Sequence, residues 1–263
     1  MKRVMSEQKS PQTKTPKISA IIPIRDRSGD RLNNCLRSLR WQEGVMAHSI
    51  EIIIVDFGSS AEHQKKIEAS ATQFSAYIVR IEAGGLWNRS RALNCGIKSA
   101  SGEYLFCTDV DMIFAPNFIS EMINVHDQMA HKSIVFSRCK DLPETVPMQP
   151  YQRSDYLALE TKGVERATQG TGACQSAHRD FFFNVRGYDE AFEHWGAEDD
   201  DLRSRAIRYG LQPRWISPQT SMLHQWHPTT KNQYPWRKRM NKARLYLTRW
   251  KIKKNPTGWG EGA

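Results

Sequence analysis

Short apolar runs alternate with segments of helical periodicity through the first half of the chain. Four of these runs have the length of strands, at residues 18–24, 50–55, 77–81 and 103–108. They are almost continuously apolar, a pattern typical of strands that are buried on both faces of a parallel sheet. We therefore predict an α/β fold with a mixed, mainly parallel central sheet flanked by helices.

The second half of the chain is less regular. Further strands are predicted at residues 133–137 and 173–177. Residues 198–209 have apolar positions on one helical face and a glycine just beyond their end, which predicts a helix. A basic, aromatic-rich helix is predicted over residues 234–252.

Both ends of the chain are basic, whereas its middle is slightly acidic, unlike a uniformly basic nucleic-acid binder. Residues 1–16 lack apolar periodicity and are predicted to form a disordered arm. A single catalytic domain is predicted over 17–227, followed by a helical extension over 228–263. That extension carries ten basic residues and one acidic residue, so it suits an anionic acceptor (a glycan or DNA) or a membrane surface.

Membrane-spanning and secreted classes are not expected from the composition. No run of about 18 apolar residues occurs, which predicts no transmembrane helix. The N-terminal residues are polar and do not resemble a secretory signal. The five cysteines are widely spaced without a C-x-x-C pair, so we expect reduced thiols in a cytoplasmic protein.

Acidic residues stand at the ends of two predicted strands. Asp56 follows the strand at 50–55, and Asp109 and Asp111 follow the strand at 103–108. The carboxyl ends of parallel strands meet at one rim of a sheet, where ligands bind. Alternation along a strand would point Asp109 and Asp111 to the same side, where paired carboxylates suit a hard divalent cation.

A second acidic group, Glu198-Asp199-Asp200-Asp201, opens the predicted helix at 198–209. The free N–H groups and the dipole of a helix N-terminus favour negative charge there. One or two acids are enough for that purpose. The surplus suggests that one carboxylate serves as a general base.

Basic and imidazole side chains add to these acids. His224 and His227 lie downstream of the acidic group, and sets of carboxylates and imidazoles suit Mn²⁺. Arg89 and Arg91 stand at the start of a predicted helix, where guanidinium groups could meet phosphates.

Three segments, taken in order, resemble known glycosyltransferases. Residues 18–24 and 51–60 (EIIIVDFGSS) resemble the opening of family 2 glycosyltransferases, and residues 85–114 resemble the block that leads into that family's DxD motif. Residues 192–210, which contain WGAEDDD, are similar to the WGxEDxD motif of the galactosyltransferase-type C-terminal region. The resemblance spans residues 18–228 and implies a GT-A fold with a nucleotide-diphosphate sugar as donor.

The resemblance also implies roles for individual residues. The donor would be bound by Pro23, Arg25, Asp56, Arg91, Asn94, Asp109 and Trp195. Family 2 enzymes often have a second aspartate after the first in this motif. Here that position is Phe57, which leaves the preferred base of the nucleotide open.

The metal and the catalytic base are implied in the same way. A divalent cation, Mn²⁺ or Mg²⁺, would lie on Asp111 with Asp109 and His224, and His227 is a rival for the place of His224. Asp199 would be the catalytic base. The neighbours of Asp199 in the motif, Glu198 and Asp200, would bind hydroxyl groups of the acceptor or the sugar.

The predicted function is a metal-dependent, inverting glycosyltransferase that moves a sugar from a nucleotide-diphosphate sugar, such as a UDP-sugar, to a hydroxyl group of a glycan or other polymer. One alternative is transfer onto a modified base in DNA. Another is a non-catalytic module of the same fold that binds glycan or nucleic acid. A metal-dependent phosphoesterase is less favoured, because the motifs lack its additional histidine clusters.

Overall fold

The computed structural model describes residues 3–4, 15–166, 170–194, 196–228 and 235–261. The helices of the described chain are α1 (Asp30–Arg40), α2 (Ala61–Gln73), α3 (Arg89–Ser99), α4 (Phe118–Gln128), α5 (Tyr156–Glu160), α6 (Arg179–Val185), α7 (Glu198–Tyr209) and α8 (Pro235–Thr248). The strands are β1 (Arg3–Val4), β2 (Ile18–Ile24), β3 (Ile50–Phe57), β4 (Tyr77–Ile81), β5 (Tyr104–Thr108), β6 (Met112–Phe114), β7 (Ser133–Phe136), β8 (Cys139–Asp141), β9 (Val164–Glu165), β10 (Cys174–His178), β11 (Gln212–Trp215) and β12 (Met222–His224).

The central sheet has the strand order β1-β4-β3-β2-β5-β10-β7-β11. Its middle is parallel, because β4, β3, β2 and β5 run in the same direction. The antiparallel strand β10 follows, paired with both β5 and β7. This mixed, mainly parallel sheet confirms the predicted fold class.

Helices cover both faces of this sheet. All residues of β2 and β3 are buried, since α1, α2 and α4 contribute to the core on one face and α3, α6 and α7 to the core on the other. Leu32, Leu36 and Leu39 of α1 recur at helical spacing and are all buried in the first of these cores. The continuous apolar runs of the strands follow from burial on both faces.

A second, smaller sheet with the order β6-β12-β8-β9 was not predicted. Its strands are two or three residues long, too short to give a periodic pattern. It positions functional side chains nevertheless. In this sheet β12 pairs with β6 directly after Asp111, and His224 lies beside Asp141 of the parallel strand β8.

The two ends of the chain pack on this body. Within the predicted disordered arm, Arg3–Val4 pair with β4, and the remaining residues 1–2 and 5–14 lie outside the described residues. The predicted helix over 234–252 is shorter, as α8, and the chain after it returns to bury Trp259 in the core beside α3 and α6. Among the described residues, no helix has both the length and the apolar character to cross a membrane.

Candidate active site

Asp111, His224 and His227 form a compact group at the rim of the central sheet. One ligand atom of each residue lies within 4.8 Å of the others. The carboxylate oxygen Oδ2 of Asp111 is 3.1 Å from Nε2 of His227 and 3.8 Å from Nε2 of His224. The guanidinium of Arg27 is also 3.1 Å from this oxygen. The structure thus brings both candidate histidines to Asp111, and it adds an arginine that was not predicted.

A further carboxylate orients His224. Oδ1 of Asp141 lies 3.0 Å from Nδ1 of His224, so Nε2 of the same ring is directed toward Asp111. Arg166 in turn pairs with Asp141. A carboxylate behind an imidazole fixes the ring and its tautomer, an arrangement that is common at histidine metal ligands.

The ionisation of this group suits a cation. Burial alone would raise the pKa of Asp111, but the hydrogen bond from His227 and the charges of His224 and Arg27 lower it instead. Burial lowers the pKa of His224 despite the opposing charge of Asp111. The hydrogen bond to Asp111 raises the pKa of His227. An ionised carboxylate beside a neutral His224 is a donor set that a divalent metal can use.

Asp109, which was predicted to share the metal with Asp111, is not part of this group. The three residues from Asp109 to Asp111 lie between β5 and β6 and not in a strand, so the alternation of a strand does not apply to them. The Asp109 carboxylate accepts a hydrogen bond of 2.9 Å from Nε of Arg89.

Arg89 connects the two acidic motifs. Its guanidinium binds Asp109, donates to the carbonyl of Gly172 at 2.7 Å and lies 3.7 Å from Oε1 of Glu198. The side chain is largely buried, and its Nη1 has no hydrogen-bond partner among the described residues. The Asp-x-Asp motif and the start of α7 therefore face each other across one arginine.

Glu198 lies in an environment that favours its protonated form. Burial and the charge of Asp199 raise the pKa of Glu198 to about 7, although Arg89 opposes the shift. Burial, together with the charge of Asp199, also raises the pKa of the exposed Asp200. A carboxyl group that titrates near neutral pH can exchange a proton with a hydroxyl group.

The remaining acids of this run have different surroundings. Asp199 is partly exposed, with its Oδ2 3.2 Å from the hydroxyl of Thr171, and Gln175 donates to its main-chain carbonyl. Asp201 is buried in an ion pair of 2.7 Å with Arg205. Asp201 therefore has a structural role, and the acids of this run that are available to the candidate site are Glu198, Asp199 and Asp200.

The backbone before these acids is strained. His194 and Ala197 have φ angles of 67° and 78°, in the left-handed region that side chains other than glycine rarely occupy. Ala197 is the residue immediately before α7 and makes no side-chain cap. Such strain is found where the surrounding structure holds a functional segment in place.

The predicted nucleotide residues lie at the neighbouring strand ends. Ile24 of β2 pairs with Asp56 of β3. Pro23 and Arg25, which flank Ile24 in the chain, therefore lie near Asp56, as expected. Arg25 donates to the carbonyl of Gly85 at 2.7 Å. Asp56 is fully buried, and its carboxylate accepts from the backbone of Ser59 and pairs with Arg80. Contact of Asp56 with a nucleotide stays a prediction.

Asn94, which the resemblance assigns to the donor, lies in the interior of the protein. Its side chain is fully buried and binds the backbone of Tyr188 through both its amide and its carbonyl group. The loop can approach this closely because residue 187 is glycine, with a φ of 60°, and a Cβ there would collide with the Asn94 side chain. Asn94 therefore anchors a loop on α3.

Arg91 also points away from the acidic motifs. It follows Arg89 by two residues on α3, about 200° around the helix. Its guanidinium contacts the main-chain carbonyl of Glu261 at 3.2 and 3.3 Å. The structure therefore does not bring Arg91 to the group around Arg89. Trp195 lies outside the described residues.

A second group that could hold a metal lies elsewhere on the described chain, at Glu103, His131 and His178. The ammonium group of Lys17 is already 3.0 Å from Glu103 and 3.0 Å from Asp127. We prefer the group around Asp111 as the candidate metal centre, because it lies at the Asp-x-Asp motif and Asp141 orients one of its imidazoles.

Family models match most of the chain. The model for glycosyl transferase family 2 matches residues 19–190. A second model, described as the N-terminal domain of galactosyltransferase, matches residues 157–227. Together they cover the strands that end at the acidic motifs, the start of α7 and both histidines.

Similar proteins agree with these matches. Chondroitin sulfate synthase 3 of Mus musculus is 26% identical over 198 residues, which are 70% of this chain and 21% of that protein. The chain thus spans about a fifth of the length of this relative.

Solved structures of similar fold include S. aureus TarS 1-349 in complex with UDP, with a TM-score of 0.61 at 16% identity, covering 81% of this chain and 61% of that one. GalNAc-T7 with UDP, GalNAc and Mn²⁺ has a TM-score of 0.67 at 15% identity, covering 90% of this chain and 48% of that one. At these identities the likeness shows a shared GT-A fold. The model for glycosyl transferase family 2 matches more than half of the residues of this chain, and the chain therefore belongs to that family.

Proposed function

We propose that the chain is a metal-dependent, inverting glycosyltransferase that moves a sugar from a UDP-sugar to a hydroxyl group of a glycan or other polymer. The observation that carries this proposal is the position of Arg89, which joins Asp109 of the Asp-x-Asp motif to Glu198 at the start of α7. Acids that are far apart in sequence thereby border one site. UDP and Mn²⁺ accompany the similar structure of GalNAc-T7, which supports this donor and metal.

The metal would be held by Asp111, His224 and His227. One carboxylate and two imidazoles suit Mn²⁺, and Asp141 already holds the ring of His224 toward Asp111. When bound, such a cation would supply charge neutralisation for the diphosphate leaving group. The guanidinium of Arg89 supports an anionic ligand nearby, because its buried Nη1 makes no hydrogen bond and lies 3.7 Å from Oε1 of Glu198, its ion-pair partner.

We assign the catalytic base to Asp199. It is the partly exposed acid of the run next to Glu198, and Thr171 and Gln175 hold it in place. As the acceptor hydroxyl attacks the anomeric carbon, the carboxylate of Asp199 takes its proton. Glu198, with a pKa near 7, is placed to bind a hydroxyl group of the acceptor or the sugar as a hydrogen-bond donor or acceptor.

One experiment separates the enzyme from a non-catalytic binding module. A panel of nucleotide-diphosphate sugars is incubated with the protein and Mn²⁺, and release of nucleoside diphosphate is measured with and without a chelator. We expect release from a UDP-sugar that the chelator abolishes. Thermal stabilisation by UDP and Mn²⁺ without any turnover of any donor would instead support the binding module.

Two variants test the assignment of roles. Asp111→Asn should lose both turnover and stabilisation by Mn²⁺, whereas Asp199→Asn should keep donor binding and lose transfer. The exposed Asp180 provides a matched control, since Asp180→Asn should change neither. Undiminished transfer by Asp199→Asn would remove Asp199 as the base.

For the location of the protein we propose the cytoplasm. All five cysteines are free and buried. Thiols that stay unpaired are usual in a reducing compartment. Fractionation of cells that produce the tagged protein tests this directly, and recovery of the protein from a secretory compartment or from the culture medium would contradict it.

A further inference from the structure

Helix α8 binds the rest of the protein through its polar side. Arg244 pairs with Asp189 at 2.7 Å, and Arg237 pairs with Glu193. Asn241, which is buried, donates to the main-chain carbonyl of Glu193 at 3.0 Å. Amphipathic helices of globular proteins usually turn their apolar side to the core. Here the orientation is reversed, so the apolar side of α8 faces outward.

The outward side is an apolar stripe. Trp236, Met240, Leu247 and Trp250 are 50%, 56%, 75% and 74% exposed, and Ala243 between them is also exposed. Their spacings of four, three, four and three residues place them along one line of the helix and its end. Several large apolar side chains in one exposed stripe indicate an interaction surface.

The charge beside this stripe is uniformly positive. Arg239 and Lys242 are exposed on α8, and Lys251 and Lys253 follow it. Residues 235–254 contain no acidic residue. Two copies of this surface would bring like charges together, which disfavours pairing with a second copy of the chain. Nucleic acid would satisfy the cations but would leave the apolar stripe without a partner.

We propose that α8 is an interfacial helix that docks the enzyme on membranes containing anionic lipids. An anionic bilayer is the partner that satisfies both features, since acyl chains accept the apolar side and head groups attract the flanking cations. Tryptophans stand at both ends of the stripe, and this residue is favoured at the boundary between head groups and acyl chains. The helix would lie in the plane of the interface, parallel to the surface.

Sedimentation with lipid vesicles tests this proposal. The protein should bind vesicles of phosphatidylcholine with phosphatidylglycerol and bind vesicles of phosphatidylcholine alone much more weakly. Leu247→Glu should lower the partition coefficient about tenfold or more, because a leucine that would enter the acyl chains of the bilayer is replaced by a charge. Leu157→Glu is the matched control, since Leu157 is 73% exposed but lies on α5, and it should bind as the wild type does.

Other results would overturn the proposal. Binding of Leu247→Glu equal to that of the wild type would show that only charge is involved. Self-association in sedimentation velocity that Leu247→Glu abolishes, without vesicle binding, would assign the stripe to a second copy. Binding to duplex DNA without binding to anionic vesicles would assign the surface to nucleic acid. Because Leu247 is exposed, circular dichroism should show the same fold for the variant and the wild type.

Discussion

The contact between Asp141 and His224 shows how a residue behind the candidate metal ligands positions one of them. The carboxylate of Asp141 lies 3.0 Å from the ring of His224, and Arg166 pairs with the same carboxylate. Asp141 comes from β8, a strand of the small sheet that has no periodic pattern. Its role could not be predicted from the sequence, because it depends on the register between β8 and β12.

Asp141→Asn should weaken the binding of Mn²⁺ about tenfold or more, since loss of the carboxylate frees the ring of His224 and lowers its basicity. Titration of Mn²⁺ with detection of the free ion by electron paramagnetic resonance measures the change. Glu165→Gln is the control, because Glu165 lies on the adjacent strand β9 and pairs with Arg138. Equal affinities of Asp141→Asn and the wild type would contradict a positioning role.

Glu198 gives a prediction about stability and pH. Burial and Asp199 raise the pKa of Glu198 to about 7 in the folded state, above the value of 4.5 for a free glutamate. Between pH 4.5 and about 7, Glu198 is therefore protonated in the folded state and ionised in the unfolded state. The free energy of unfolding falls as the pH rises through this range. Glu198→Gln removes the ionisable group and should therefore become more stable relative to the wild type as the pH rises.

The relative gain in the free energy of unfolding should be up to about 2 kcal/mol between pH 5.5 and 7.5. Urea unfolding of both proteins at the two pH values measures it. Glu144→Gln, at an exposed position, should show no such trend. A difference between Glu198→Gln and wild type that stays constant with pH would show that the Glu198 carboxyl is not buried as described.

At the scale of secondary structure, the start of α7 is held in a conformation that its sequence does not favour. Ala197 has a φ of 78° directly before the helix. Ala197→Gly should raise the free energy of unfolding by about 0.5 kcal/mol, because glycine adopts this conformation without a steric cost. Ala69→Gly in the exposed middle of α2 is the control and should lower it by about 1 kcal/mol. Equal losses at both positions, in chemical denaturation, would show that Ala197 is not strained.

Elements with a strong periodic signal were predicted well, and elements defined by tertiary contacts were not. The apolar runs of β2, β3 and β5 can be recognised in the sequence because burial on both faces leaves few polar positions. The alternation expected for Asp109 and Asp111 was wrong, since the chain turns between β5 and β6. The orientation of α8 is likewise set by tertiary contacts, because ion pairs with Asp189 and Glu193 turn its apolar side outward.

At the scale of the whole molecule, the C-terminal segment is joined to the body through a buried lysine. Nζ of Lys254 lies 3.3 Å from Asp189 and 3.2 Å from Asp201, and the side chain is almost fully buried. Asp201 belongs to α7, the helix that begins with the acids of the candidate site. The basic composition of residues 228–263 predicted a separate extension, and no local pattern indicates that one of its lysines pairs with acids in the interior.

Lys254→Met should lower the free energy of unfolding by about 3 kcal/mol, because it leaves two buried carboxylates without this cation. Urea unfolding, followed by tryptophan fluorescence, measures the loss. Lys251→Met is the control, since Lys251 is exposed and close in sequence, and it should change stability by less than about 0.5 kcal/mol. Similar losses for both variants would show that the pairing of Lys254 is not what stabilises the segment.

The close approach of residue 187 to Asn94 has a consequence for mutational surveys. A library that samples every amino acid at position 187 should retain only glycine, because any larger residue would push the loop off α3. If positions are ranked by how many substitutions they tolerate, this glycine would rank as low as the acids that we assign to catalysis. Such rankings of this enzyme therefore need a separate measurement of protein abundance before an intolerant position is interpreted as a ligand contact.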